Sequence, residues 1–207
     1  MARRSDHTRD ELRKMALDAA RGIVEREGAP GLTARKVAGA IGYSPGTLYN
    51  LFDGLDDLVW HLNATTLGGL EGVLSKAARR HAEEGVEARV MGLVDAYMGY
   101  VRERASVWRL IFDYNAGGDG SLPPWYQEVI DRLLAELEKA IAPLFPTGHE
   151  KSRREAGRVL WCGMHGIVSL AWRGKLGAVS DRAPRAMVLS LVTHYLNGLR
   201  AEVGKAA

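Results

Sequence analysis

The spacing of apolar residues in the first third of the chain most strongly constrains its fold. An apolar residue recurs every three or four positions, as expected for a helix with one buried face. The positions are Leu12, Met15, Ala16, Ala19, Ala20, Ile23 and Val24. Thr8 and Glu11 form a capping-box pair just before this run, and the segment from Glu27 to Gly31 is expected to end the helix. No stretch alternates as a strand would, and no Asn-Gly or Asp-Gly hairpin signal lies between β-branched runs. The pattern therefore predicts an all-α fold.

The same spacing continues to the end of the chain and predicts about nine helices in total. The further predicted segments are Ala34–Ile41, Pro45–Phe52, Leu55–Arg80, Val86–Val101, the short apolar piece Trp108–Tyr114, Trp125–Ile141, Lys151–Gly174 and Pro184–Val203. Asn115–Leu122 is expected to be a loop. Gly68, Gly69 and Gly72 fall inside the fourth helix, where we expect close helix packing or a bend. A hinge, or a ligand against the backbone, is the alternative.

Charge and cysteine content narrow the class of protein. The net charge is +3, and residues 1–54 include nine basic and seven acidic residues. This basic excess is too small to establish nucleic-acid binding. The uncharged stretches Val159–Trp172 and Ala186–Leu199 are 14 residues each, shorter than the roughly 20 that a membrane helix needs. The first residues carry no apolar run, so we expect no signal peptide. Because the lone Cys162 cannot form an internal disulfide, we expect a cytoplasmic protein.

Residues 33–52 predict a helix, a tight turn and a second helix. The apolar positions of the two helices are Val37, Ala38, Ile41, Leu48 and Phe52. Gly42 stands where the turn needs a residue that tolerates positive φ. This is the layout of a helix-turn-helix, whose second helix enters the major groove of DNA. The alternative is a plain corner between two helices of a bundle.

The polar residues of this segment suit DNA. Thr33 and Ser44 precede the two helices, where free N–H groups and the helix dipole attract phosphate. Tyr49 can donate its hydroxyl to a phosphate oxygen. Thr47 and Asn50 can reach base edges. The Pro45 ring can contact a thymine methyl group, and Arg3 and Arg4 form an arm for phosphates or the minor groove.

The segment from Leu32 to Leu58 resembles the N-terminal domain of the TetR (tetracycline repressor) family. The matching residues are Leu32-Thr33, Val37-Ala38, Ile41-Gly42, Ser44, Gly46, Leu48-Tyr49, Phe52 and Leu58. The resemblance implies a three-helix DNA-binding domain, residues 1–54, on a C-terminal helical bundle for ligand binding and dimerisation, residues 55–207. With the residue chemistry above, it gives the candidate DNA-binding set Arg3, Arg4, Thr33, Arg35, Lys36, Tyr43, Ser44, Pro45, Gly46, Thr47, Tyr49 and Asn50.

Two positions depart from the family pattern. The family often has His before the Phe and Lys at the start of the fourth helix, and both touch phosphate. This chain has Leu51 and Leu55 there. We therefore expect backbone contacts to shift to the arm and to Arg35 or Lys36.

A second, shorter resemblance lies near the C-terminus. The run from Trp161 to Gly166 is similar to the helix that characterises the WHG-type C-terminal subfamily, which implies a ligand-binding domain without naming the ligand. The candidate pocket residues are Tyr97, Trp108, Tyr114, Trp125, Trp161, His165 and Trp172, with ordinary core positions as the alternative. Three roles are open for His165. It can be a hydrogen-bonded core histidine, a polar contact for a ligand or, together with Cys162, a metal ligand. Two ligands are not a site, so no metal or cofactor is predicted.

The last two helices are apolar over much of their circumference, which favours a homodimer built on a two-fold four-helix bundle. The alternative is that they cover the core of one subunit. We predict a ligand-responsive transcriptional regulator, in this family most often a repressor. It would bind a palindromic double-stranded operator and be released by a small, largely apolar effector. A constitutive DNA-binding protein and, with no catalytic motif in its favour, a helical-bundle enzyme are the alternatives.

Overall fold

The computed structural model describes residues 7–114 and 122–206. All regular structure in these ranges is helical, and no strand occurs within them. The nine α-helices are α1 Arg9–Glu27, α2 Ala34–Ala40, α3 Pro45–Tyr49, α4 Leu55–Arg80, α5 Val86–Glu103, α6 Ala105–Asp113, α7 Pro124–Ile141, α8 Glu150–Trp172 and α9 Pro184–Ala206. Both the all-α class and the predicted number of helices are confirmed for this part of the chain.

The first helices begin and turn where the local sequence predicts. Thr8 caps α1: its hydroxyl accepts the N–H of Glu11, whose carboxylate accepts the N–H of Thr8 at 2.7 Å. Thr33 caps α2 by accepting the N–H of Lys36 at 3.3 Å. Gly42 has a φ of +78°, a value that L side chains rarely adopt, and so provides the sharp turn after α2.

Several helix boundaries differ from the prediction, by up to three residues. α3 ends at Tyr49 rather than near Phe52, and the carbonyls of Asn50 and Leu51, which follow it, accept hydrogen bonds from α1 side chains. α6 begins at Ala105, three residues before the predicted apolar piece, and the earlier start includes the buried Val107. Residues 115–121 of the predicted loop lie outside the described residues.

The chain forms two compact units that interleave along the sequence. The first unit comprises residues 1–67 and 104–126, and the second comprises residues 68–103 and 127–207. Compactness therefore divides the chain differently from the functional division predicted at residue 54, and that functional division remains a prediction.

The core of the first unit joins the helix-turn-helix to α1, α4 and α6. Its buried members are Leu12, Ala16, Ala20, Ile23, Val24, Leu32, Val37, Leu48, Leu51, Phe52, Leu58, Val59, Leu62, Val107 and Leu110. All seven apolar positions of the opening pattern in α1 are buried in this core or packed against it. The periodicity of α1 thus identified the face that supports the helix-turn-helix.

In the second unit, α9 packs against both α5 and α8. α8 and α9 approach closely at Gly163, where an added Cβ would lie 2.8 Å from Leu191 Cδ2. The close-packing interpretation also holds for Gly69, since a Cβ there would lie 2.5 Å from Tyr100 Oη. Gly68 and Gly72 face open space instead.

Candidate DNA-binding surface and effector pocket

α2, the turn and α3 expose mainly polar residues and bury apolar ones. Val37 and Ala38 are fully buried, as is Leu48, which anchors α3 in the core. The exposed members of the candidate set are Thr33, Arg35, Lys36, Ser44, Pro45, Gly46, Tyr49 and Asn50, whereas Tyr43 and Thr47 are half-buried. We call the exposed side of this segment, defined by these ten residues, the α2–α3 face.

Tyr49 and Gly46 are the most informative members of the α2–α3 face. The Tyr49 side chain is 58% exposed, which is unusual for a large aromatic residue. Gly46 has an ordinary φ, and an added Cβ would meet only Ser44 Oγ, at 3.7 Å. The fold therefore does not require glycine at position 46, and the backbone there is open to an approaching partner.

The α2–α3 face has two candidate cations, Arg35 and Lys36, and one of them is in an ion pair. Lys36 forms an ion pair with Glu27, while Arg35 is exposed. Leu51 is buried and Leu55 packs against the core, so the two departures from the family pattern serve the interior of the unit. Arg3 and Arg4 lie outside the described residues.

Sequence reasoning missed a set of residues that hold the end of α3 in place. Arg9 Nη2 donates to the carbonyl of Asn50 at 3.3 Å, and Arg13 Nη1 donates to that of Leu51 at 2.7 Å. Arg13 Nη2 lies 2.7 Å from Nε2 of His61 on α4. The signal available in the sequence was the pair of arginines four residues apart, which α1 places on one face.

The aromatic pocket candidates separate into two groups, and three of them lie in the first unit. Trp108 is buried beside Phe112, and the Tyr114 hydroxyl donates to Asp56. Burial, with a contribution from Asp56, raises the pKa of Tyr114 to about 12. The ring of Trp125 stacks on His61 at 4.5 Å between centroids. The contacts described for these three residues involve different partners.

The other four candidates form an aromatic cluster in the second unit. Tyr97 is buried, with its ring centroid 4.9 Å from that of Trp161 and 6.5 Å from that of Trp172. His165 bridges two hydroxyls: its Nδ1 lies 2.7 Å from Tyr97 Oη and its Nε2 lies 2.9 Å from Ser169 Oγ. Because hydroxyls occupy both ring nitrogens, this arrangement does not favour the metal interpretation of His165 and Cys162. Within the described residues, no three His, Cys, Asp or Glu side chains are placed to hold a metal ion.

A small apolar cavity adjoins the aromatic cluster. Its volume is about 10 Å³, close to the space that one water molecule occupies. It is lined by Leu74, Leu93, Val94, Tyr97, Leu133, Leu137, Trp161 and Met164. None of these side chains carries a charge, so the cavity suits an apolar group.

The environment of His165 leads to a prediction about its titration. Burial, and to a lesser extent the nearby charge of Arg173, lower the pKa of His165 below its ordinary 6.5. Since the folded state favours the neutral ring, the residue should stabilise the fold above pH 6.5, and that stability should be lost as the pH falls through the lowered pKa. Two-dimensional NMR of the ring nitrogens, assigned with a His165→Gln variant, is expected to give a midpoint below 6.5. A midpoint at or above 6.5 would contradict this description of the site.

One face of α8 is apolar and exposed. Val159 is 52% exposed and Leu170 is 38% exposed, and Cys162 and Gly166 lie between them at three- and four-residue spacing. We call these four positions the α8 stripe. Cys162 lies on this outward face and is exposed in the single chain. On the following helix, α9, Leu189 is also exposed.

The helices of the described ranges carry no membrane-crossing candidate, since none is both long enough and apolar enough.

Fold and surfaces together define a class of protein: an all-helical chain with a helix-turn-helix in one unit and a separate helical unit. The sequence profile described as "Tetracyclin repressor-like, C-terminal domain" matches residues 90–195, which is half of the chain. The chain therefore belongs to the tetracycline repressor-like (TetR) family. The WHG-type subfamily remains a prediction. No curated protein sequence matches the chain.

Solved structures of low sequence identity share the fold. A protein of unknown function from Rhodococcus sp. RHA1 aligns with a TM-score of 0.72 at 20% identity, covering 96% of this chain and 100% of its own. The TetR-like transcriptional regulator LfrR from Mycobacterium smegmatis, solved with proflavine, gives 0.56 at 18%, covering 92% and 96%. Thermus thermophilus FadR, a TetR-family transcriptional repressor solved with lauroyl-CoA, gives 0.63 at 16%, covering 89% and 92%. The fold is thus that of TetR-family transcriptional regulators.

Proposed function

We propose that this protein is a homodimeric transcriptional regulator, acting as a repressor, that binds a palindromic operator through the α2–α3 face. The observation that carries the proposal is the exposed row on α3 and its N-terminus, above a fully buried Leu48. Short polar groups at Ser44, Thr47 and Asn50 suit base edges and phosphates, and the Tyr49 hydroxyl suits a phosphate oxygen. An exposed aromatic residue on a five-residue helix has little use in a core, which argues against a plain helical corner.

Gly46 and Gly39 provide a matched pair of substitutions that tests this proposal. Each can accept a methyl group without a clash, since an added Cβ at Gly39 meets no atom within 4 Å. Gly46→Ala is expected to weaken operator binding by roughly tenfold or more, because a methyl group would block close approach of the DNA backbone. Gly39→Ala, on α2, should leave affinity within about twofold. Fluorescence anisotropy with selected operator DNA measures both, and equal affinities for the two variants would contradict the proposed surface.

Dimerisation is proposed to use the α8 stripe together with the exposed part of α9. Exposed apolar residues in a row on one helix usually mark a contact surface. A two-fold axis at this row would pack α8 of one subunit against α8 of the other, so that each buries the apolar residues of its partner. Gly166 and Cys162 are small enough for the two α8 helices to approach closely. A two-fold dimer also suits the DNA, since two recognition helices about 34 Å apart read successive major grooves.

The single cysteine of the chain reports on this interface directly. Cys162 is exposed in the single chain and lies in the middle of the α8 stripe. In the dimer it should be covered, so iodoacetamide is expected to alkylate it at least about tenfold more slowly than in a monomeric Val159→Asp variant. Mass spectrometry of timed samples gives both rates. Alkylation of the wild-type dimer at the monomer's rate would place the interface elsewhere.

The proposed effector site is the aromatic cluster and the cavity beside it. The cavity of about 10 Å³ is far below the roughly 300 Å³ or more of a small-molecule pocket, so an effector must select or induce a wider conformer. Its uncharged lining suits a largely apolar molecule, with the Tyr97 hydroxyl as a polar contact. The proflavine and lauroyl-CoA complexes of LfrR and FadR support a ligand-binding role for this fold. Effector binding would weaken operator affinity only as far as it favours a conformer that fits DNA less well.

A constitutive DNA-binding protein is the alternative, and the small volume of the cavity is the observation that favours it. The two functions differ in one measurable property. A regulator releases its operator when a compound binds the second unit. In a constitutive protein, operator affinity does not respond to such compounds.

A further inference from the structure

α1 holds the C-terminal end of the recognition helix α3 through two arginines. The last carbonyls of a helix lack intrahelical partners, and side-chain cations near them are stabilising. Arg9 donates to the carbonyl of Asn50 and Arg13 to that of Leu51, at 3.3 and 2.7 Å. These carbonyls directly follow Tyr49, so the arginines fix the orientation of the α2–α3 face relative to α1.

The position of Arg13 in turn depends on His61. Arg13 Nη2 lies 2.7 Å from His61 Nε2, and its guanidinium carbon lies 4.7 Å from the centre of the Phe52 ring. A guanidinium has donors only, so this contact is a hydrogen bond only when Nε2 carries no proton. The observed arrangement therefore requires the neutral imidazole of His61, with its hydrogen on Nδ1.

Protonation of Nε2 would replace Arg13 by Asp57 as the favourable partner of His61. The charged groups that face the ring in the described structure are Arg13 from α1 and Asp57 from α4, whose Oδ1 lies 3.5 Å from Nε2. Trp125 of α7 and Phe52 contribute aromatic rings. The protonated ring repels Arg13 and donates to Asp57, so one nitrogen has two mutually exclusive partners.

We infer that His61 is a positioning residue for DNA recognition: its neutral form holds Arg13 against the end of α3, and its protonation releases Arg13 and lowers operator affinity. The inference rests on the proposed function, because it concerns how the proposed recognition helix is held. It assigns to the first unit a response to pH that needs no small-molecule effector.

The surroundings of the ring place this response on the acid side of neutrality. Burial lowers the pKa of His61 most, Asp57 opposes the change, and Arg13 lowers it further. The pKa thus lies below the ordinary 6.5, so the ring is neutral at pH 7.5 and takes up a proton as the pH falls below 6.5. The Arg13 contact should be complete at pH 7.5 and lost progressively on acidification.

Operator binding measured at pH 7.5 and 5.5 tests the inference. His61→Gln is the informative variant, because the glutamine carbonyl can accept from Arg13 but does not titrate. The wild-type protein is expected to lose at least about tenfold in affinity between the two pH values, as a hydrogen bond to a charged group is lost in each subunit. His61→Gln should change less than about threefold. His149→Gln, an exposed substitution in the second unit, should keep the wild-type loss. Parallel profiles for wild-type and His61→Gln would overturn the inference.

A second readout needs no DNA and separates this inference from the proposed function. Amide hydrogen exchange of residues 46–52, corrected for the intrinsic effect of pH, reports how firmly the end of α3 is held. Protection should fall at pH 5.5 in the wild-type protein and stay constant in His61→Gln. Equal loss in both proteins would overturn the inference even if DNA binds. Failure of all variants to bind any selected DNA would instead contradict the proposed function, while the exchange data would still decide the role of His61.

Discussion

Replacing Val159 with aspartate is expected to convert the dimer into monomers and to abolish operator binding. Val159 is the most exposed apolar member of the α8 stripe, with 52% of its surface accessible. In a two-fold dimer the substitution would place two carboxylates in one apolar interface. Burying an unpaired charge costs several kcal/mol, and the symmetry applies this cost twice. A dimer of ordinary nanomolar to micromolar affinity would not survive such a loss.

Light scattering coupled to size-exclusion chromatography measures the oligomeric state of this variant. Val179→Asp is the matched control, because Val179 is 67% exposed and lies in the segment between α8 and α9 rather than in the α8 stripe. It should remain dimeric and bind operator normally. A dimeric Val159→Asp protein with intact operator affinity would show that the α8 stripe is not the subunit interface.

Replacing Tyr49 with alanine is expected to weaken operator binding by roughly 10³-fold without destabilising the fold. The side chain is 58% exposed, so its removal costs the core little. A hydrogen bond from its hydroxyl to a phosphate is worth about 2 kcal/mol, and a dimer loses it twice, or about 4 kcal/mol in all. Each 1.4 kcal/mol corresponds to a factor of ten in the dissociation constant.

Tyr49→Phe separates the hydroxyl from the ring. It should show most of the loss if the hydroxyl carries the contact, and the melting temperatures of both variants should stay within about 2 °C of the wild-type value. Unchanged operator affinity in Tyr49→Ala would remove α3 from the proposed DNA interface. A large drop in melting temperature would instead assign Tyr49 to the fold.

The parts of the fold that local sequence controls were predictable. The capping box at Thr8, the Thr33 cap and the positive φ of Gly42 each depend on a few neighbouring residues, and all three occur as the sequence predicts. Apolar periodicity identified the buried faces of α1 and of the helix-turn-helix for the same reason. The side chains that pack beneath the α2–α3 face repeat at helical spacing.

The contacts that join distant segments were not predictable in the same way. Arg13 meets His61 across 48 positions of sequence, and Tyr97 meets His165 across 68. No local pattern records such pairs, because they depend on how helices pack against one another. The ion pair of Lys36 with Glu27 is a similar case, since the sequence alone presents Lys36 as an available cation.

The outward face of α8 illustrates a different limit. A helix that is apolar around its circumference is expected to be buried, yet the single chain covers only part of α8. Periodicity records which residues avoid water but not whether the same chain or a second copy covers them. The position of Cys162 on the α8 stripe therefore needed the structure.

Selection of bound sequences from a random pool of double-stranded DNA, using the full-length protein, tests the central proposal most directly. The account predicts enrichment of a palindrome whose half-sites lie about 10 to 10.5 base pairs apart, or a multiple of that spacing. Binding to the enriched sequence should be lost in Tyr49→Ala and in Val159→Asp, and kept in Val179→Asp. A pool that yields no enriched sequence, or an enriched sequence that Tyr49→Ala binds as tightly as the wild-type protein, would contradict it.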